Sequence, residues 1–221
     1  MKHRAPHQVR RCSKFAAGVV LAFGLSLLAT GAWFSGHAAK AQDLLPLTLD
    51  TEAEREGDHP WKIDPSQSNL KIRVNLNGTL VEGAFSQWDA QINLDPENLD
   101  TAFVDARVDM TSLVLGDLSE QAKGVDFLNV NQEAEARFLS DFFWLRGDGR
   151  IDAEGLLMIG GVTKPFVLTF ALGIEDQQAR MQAYTIIDRT EFSVGTKSYA
   201  TEESLAFAVE AAIDIVAEKQ W

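Results

Sequence analysis

Thiols are almost absent from these 221 residues, the single cysteine being Cys12. It sits in a basic segment ahead of the first long apolar run, so everything beyond it lacks disulfides, thiolate metal sites and a cysteine nucleophile. Histidine is nearly as scarce. Of the four, His3, His7 and His37 lie within the first 41 residues, and His59 stands beside Pro60. A Ser-His-Asp relay needs a histidine on the rigid fold, and a His-rich zinc site needs several. The sequence therefore predicts no catalytic residue, no metal and no cofactor. Gly160-Gly161 is not followed by the Gly-Lys-Ser/Thr of a phosphate loop. Positive charge is also in short supply. Residues 1–41 hold six of the 20 Lys and Arg residues and no acid, which leaves 14 against 32 acidic residues, a net charge of −18. Such a surface repels phosphate backbones, so nucleic acid is not an expected partner. A solvated acidic face is the plain reading, and docking to a basic partner is the alternative.

What is present begins with an address. Lys2, Arg4, Arg10, Arg11 and Lys14 precede an apolar run from Phe15 to Phe34, and Ala39-Lys40-Ala41 before Gln42 has small-x-small spacing. This predicts an exported, periplasmic protein with a signal peptide over 1–41. The run is long enough to span a bilayer, so an uncleaved N-terminal anchor is the alternative. Residues 42–60 are polar and acidic and end in Pro60, which predicts a flexible leader. Residues 61–221 are enough for one domain with its own core.

In that domain, period-two alternation dominates. Leu70, Ile72, Val74 and Leu76 alternate with polar residues, as do Trp88, Ala90, Ile92 and Leu94, and Val104, Ala106, Val108 and Met110. Asn77-Gly78 predicts a tight hairpin turn, and Gly147-Asp148-Gly149 and Gly160-Gly161 punctuate later runs. Phe166, Leu168, Phe170 and Leu172 share a face, as do Met181, Ala183, Thr185 and Ile187. Leu205 to Glu218 is rich in helix-favouring Ala and Glu, yet its strict alternation predicts a closing strand. A short helix is expected near Ser119 to Gly124. Many short strands joined by Gly and Asn turns predict an all-β sandwich or antiparallel barrel.

Five patches narrow this: Trp61-Lys62-Ile63-Asp64-Pro65 with Ser68, Gly83-Ala84-Phe85, Asp126-Phe127-Leu128-Asn129-Val130, Gly160-Gly161-Val162-Thr163-Lys164-Pro165, and Arg189-Thr190-Glu191-Phe192-Ser193-Val194-Gly195. In order and spacing they resemble the YceI-like family of bacterial periplasmic proteins. Gln67-Ser68 stands where that family often has His-Ser. The resemblance implies a lipocalin-like barrel of about eight strands, a size that holds one small ligand, around a long isoprenoid such as a quinone or polyprenyl lipid.

The expected ligand tunnel is lined by Ile72, Val74, Phe85, Phe127, Phe138, Phe142, Trp144 and Met158, with Phe170 from a neighbouring strand. Each five-carbon prenyl unit buried there contributes about 4 kcal/mol before costs. Arg189 either receives a polar head near the mouth or forms a salt bridge to Asp188 or Glu191. Asp64, Asp126, Asp188 and Glu191 read first as turn and cap residues. The leading expectation is a non-catalytic carrier or sequestering protein, compatible with transport, storage or stress protection. The alternatives are an interaction protein serving a membrane b-type cytochrome, and an enzyme using paired carboxylates on a lipid.

Overall fold

The computed structural model describes residues 57–221. The expected signal peptide, its cleavage site and residues 42–56 of the expected leader lie outside the described residues. The leader's last residues differ from expectation. The His59 backbone N–H donates to Asn93 Oδ1 at 2.7 Å, and Pro60 opens the first strand. Proline is tolerated there because a strand's first residue need not donate to the ladder.

Eleven strands follow in chain order: β1 (Pro60–Ile63), β2 (Asn69–Leu76), β3 (Thr79–Phe85), β4 (Trp88–Asp95), β5 (Asn98–Asp109), β6 (Leu113–Val114), β7 (Glu135–Leu145), β8 (Ile151–Ile159), β9 (Val162–Glu175), β10 (Gln178–Asp188) and β11 (Leu205–Lys219). Among the described residues one short α-helix, α1 (Ser119–Lys123), lies between β6 and β7. Every strand ladder is antiparallel. β1 pairs with β4 on one side and β11 on the other, which closes the sheet. β2 continues the line of β1 along β11, β3 that of β4, and β6 that of β5. The result is a closed barrel of eight staves, three of them bent. Closure removes the exposed edges that an acidic single sheet would have to protect in other ways.

The turns follow their sequences. Asn77 and Gly78 both adopt positive φ, 51° and 81°, the geometry of the tight hairpin that Asn-Gly favours. Gly160 and Gly161 do the same at 57° and 76° between β8 and β9. The break between β1 and β2 is filled by the first patch. Asp64 accepts from the Ser66 N–H at 2.9 Å and from its hydroxyl at 2.6 Å. The Ser68 hydroxyl then takes the Val216 N–H at 2.9 Å and donates to the Val216 carbonyl at 3.2 Å, so a side chain completes the ladder where the backbone bulges away.

One irregularity sets the phase of a whole strand. Ser140 pairs with Gly155 and Phe142 with Glu154, so Asp141 is an extra residue in β7. A bulge of this kind turns the following side chains to the other face. Gly155 permits it, because a Cβ at that position would overlap the Leu139 carbonyl group. Ser140 donates to the Glu154 carbonyl at 2.7 Å and holds the bulge closed.

The interior residues form three buried clusters. One, around Trp61, Leu94, Ala179 and Ala217, lies at the β1–β4 end. Another, around Phe85, Met110, Leu113 and Leu115, lies beside α1. A third comprises Ile151, Ala153 and Phe170. Among the described residues no helix is long and apolar enough to cross a membrane.

Candidate functional site: an apolar cavity through the barrel

A cavity of about 380 Å³ occupies the barrel interior, within the usual range of ~300–1,000 Å³ for small-molecule sites. Its wall is built by the inward positions of the alternating strands. Ile72 and Val74 of β2, Phe85 of β3, Phe138 of β7 and Phe170 of β9 line it, as expected, and so does Phe127 from the loop after α1. Three expected wall residues do not. Phe142 is 60% exposed on the outer face, where its ring packs 5.4 Å from that of Trp144. Strict alternation from Phe138 would carry both inward. The bulge at Asp141 reverses the phase, and Phe143 lines the cavity instead. Met158 faces outward because Leu157 and Ile159, its neighbours in β8, point in.

Residues not anticipated also line the cavity. Trp88, Ile213 and Ile215 belong to alternating runs, and Trp61 opens the first patch. Alanine was the overlooked signal. Ala90, Ala106, Ala153 and Ala211 all face the cavity, although alanine is depleted in strands. Small side chains at inward positions leave the bore open where larger ones would fill it.

The end beside α1 is held by loop contacts that explain the remaining patches. Gly83 lets β3 approach β6, since a Cβ there would meet the Leu115 side chain at 2.6 Å. Phe127 packs at 5.8 Å from Tyr199 and against Gly195, which has a φ of +67° and where a Cβ would lie 2.9 Å from the Phe127 ring. The Asp126 carbonyl accepts from the Gly195 N–H at 2.7 Å, and its carboxylate accepts from the Ser198 N–H at 2.9 Å. Asp126 thus staples two loops together. Asp188 accepts from the Thr190 N–H at 2.8 Å, the cap role read from sequence.

Arg189 lines the cavity but, among the described residues, forms no salt bridge to Asp188 or Glu191. It is 4% exposed, and its guanidinium donates to the carbonyls of Ala206, Val194, Tyr199 and Leu205 at 2.7–3.0 Å. Burial lowers its pKa from the usual arginine value, while Asp188 and Asp126 pull it back up. It ties the loop before β11 to the barrel. The missed signal was that a run of irregular backbone, residues 193–204, leaves carbonyls that need a donor.

The hydrogen bond from Ser198 to Asp126, opposed by partial desolvation, holds the Asp126 carboxyl below its ordinary pKa. A carboxyl lowered in the folded state stabilises fully above its unfolded value of about 3.9, and that contribution is lost as pH falls through the lower folded value. The Ser198 amide should therefore stay protected from hydrogen exchange down to the ordinary carboxylate range and lose protection only below it. In Asp126→Asn the same amide should exchange faster already at neutral pH, with no acid-side transition.

Residues 61–218 match the family described as YceI-like domain. The chain is 25% identical over 163 residues to a UPF0312 protein of Vibrio cholerae, covering 68% of this chain and 86% of the relative. A UPF0312 protein of Pseudomonas fluorescens is 28% identical over 160 residues, 67% of this chain and 78% of that one. Among solved structures, BcnA of Burkholderia cenocepacia aligns with a TM-score of 0.67 and 22% identity, covering 70% of this chain and 99% of BcnA. A polyisoprenoid binding domain from Saccharophagus degradans, implicated in plant cell wall breakdown, aligns with a TM-score of 0.56 and 13% identity over 72% of this chain and 98% of its own. These structural likenesses carry the barrel. The family match covers the strands, the bent staves and the patches that fix the loops, and the chain belongs to the YceI-like domain family.

Proposed function

We propose that this protein is a non-catalytic, periplasmic binding protein for an amphiphilic isoprenoid lipid, of quinone or polyprenyl type, whose tail lies in the barrel. The observation that carries the reading is the cavity, enclosed by the barrel strands and lined mainly by apolar side chains. A long, methyl-branched hydrocarbon suits such a bore, and about 0.8 kcal/mol per buried CH₂ makes a few prenyl units enough for tight binding. The similarity in fold to a polyisoprenoid binding domain supports the same class of ligand. Among the described residues no group of His, Cys, Asp and Glu side chains is arranged to hold a metal ion, and the reading needs none.

Export is part of the proposal. Full-length protein produced with its own N-terminus should be recovered from the periplasmic fraction with Gln42 as its first residue, which intact mass measures directly. A membrane-bound, full-length form would replace the signal peptide with an anchor. Solvent extraction of the natively purified protein, followed by mass spectrometry, should release a prenyl lipid. A barrel that yields no lipid, yet co-purifies with a membrane cytochrome, would overturn the carrier reading in favour of the partner one.

A further inference from the structure

The cavity wall is not uniform in polarity, and its few polar side chains without a hydrogen-bond partner among the described residues lie at one end. Thr185 lines the cavity from β10. Its position is fixed by register: Thr185 pairs with Ala211, Ala211 with Ile72, and Ile72 with Gly83, which abuts Leu115 just before α1. The β9–β10 ladder runs from Glu175–Gln178 to Phe170–Ala183, so Thr185 lies beyond its last pair. Gln121 of α1 and Tyr199 line the cavity at this same end. The other polar side chains of the wall are committed. Arg137 is paired with Asp105 at 2.7 Å, Asp89 accepts from the Ala90 N–H, and four of the five guanidinium N–H groups of Arg189 are spent on backbone carbonyls. At the opposite end Trp61, Leu94, Leu172, Ala179 and Ala217 make a wholly apolar wall, with the one indole N–H donating to the Leu94 carbonyl at 2.9 Å.

We propose that Thr185 is the polar anchor for the ligand's head, that the head is a neutral oxygen-bearing group such as a carbonyl or hydroxyl, and that the tail points toward Trp61. This rests on the isoprenoid reading above and adds orientation and head chemistry. A hydroxyl on an apolar wall without a partner is costly to desolvate, and a ligand oxygen at its depth recovers that cost. A threonine hydroxyl both donates and accepts, so it suits carbonyl and alcohol equally. A phosphate head is disfavoured here. The buried cation on this wall, Arg189, is held by carbonyls, and the acidic Asp126 stands in the same loop cluster, accepting from the Ser198 N–H.

The test uses delipidated full-length protein and two probes, a prenyl alcohol and the prenyl hydrocarbon of the same skeleton. Wild type should prefer the alcohol. Thr185→Val keeps the shape and removes the hydroxyl, and one lost hydrogen bond of about 1 kcal/mol is roughly a fivefold loss. That loss should fall on the alcohol alone and leave hydrocarbon binding unchanged. Thr185→Ser, which restores the hydroxyl, should recover the preference. Adding a diphosphate to the same skeleton should weaken binding to wild type. If alcohol and hydrocarbon bind Thr185→Val in the same ratio as wild type, or the diphosphate binds best, the head assignment is wrong while the carrier reading stands. If neither neutral probe binds wild type, the carrier reading itself fails.

Discussion

Phe170→Asp is expected to abolish lipid retention. Phe170 is 5% exposed, a member of a buried cluster, and part of the cavity wall. A carboxylate there faces a hydrocarbon that offers it no partner, at a cost of several kcal/mol, which is a loss of affinity of about 100-fold or more. Because a buried charge also weakens the fold, a second variant separates the two effects. Ala106 lines the cavity and lies between Ala90 of β4 and Phe138 of β7. It is only half-buried, its exposed surface facing the bore. Ala106→Phe should fill the tunnel with a compatible apolar ring, leaving a folded barrel without lipid. Phe142→Asp is the control. On the outer face, 60% exposed, it should change stability by no more than about 0.5 kcal/mol and keep a full complement of lipid. Full lipid content in both Phe170→Asp and Ala106→Phe would refute the tunnel.

Gly155→Val should produce the largest loss of stability. The strand backbones touch at this point: a Cβ would lie 2.9 Å from both the Leu139 carbonyl carbon and the Ser140 Cα. Neither atom is the end of a flexible side chain, so the bulge at Asp141 must shift. Overpacking costs typically 1–3 kcal/mol, and here it also breaks the Ser140–Glu154 hydrogen bond. A total of about 3 kcal/mol corresponds to a fall in Tm of roughly 6–12 °C for a domain of this size. Gly173→Ala, with no heavy atom within 4 Å of the added Cβ, should be nearly neutral. If Gly155→Val is as stable as Gly173→Ala, the bulge is not held by close approach.

The same bulge shows why the sequence was only partly readable. Alternation placed the strands well, including β11, where period two prevailed over the helix preference of its alanines because closure of the barrel gives that face something to pack against. It also placed Ile72, Val74, Phe85 and Phe138 on the wall. Alternation cannot see an extra residue, so the phase of Phe142-Phe143-Trp144 is not legible from the sequence, and Phe142 and Trp144 lie outside the expected tunnel. Only the combination of Ser140-Asp141 with a glycine on the opposite strand marks the break, and that pairing is a long-range fact. The partners of Arg189 are hidden from the sequence for a related reason. A buried arginine in an acidic protein suggests a carboxylate partner, but its partners are carbonyls of a loop whose path no local pattern reveals. His59 was read with the acidic leader because composition changes gradually there, whereas the ladder begins abruptly at Pro60.

The central claim is that an isoprenoid fills the interior of this barrel. Native mass spectrometry of wild-type protein and Ala106→Phe, purified side by side without detergent, tests it most directly. The account predicts a wild-type species heavier than the mature polypeptide by the mass of one prenyl lipid, released on denaturation, and a bare Ala106→Phe polypeptide of equal yield. A wild-type barrel at its bare polypeptide mass, or an identical adduct on both proteins, would contradict it.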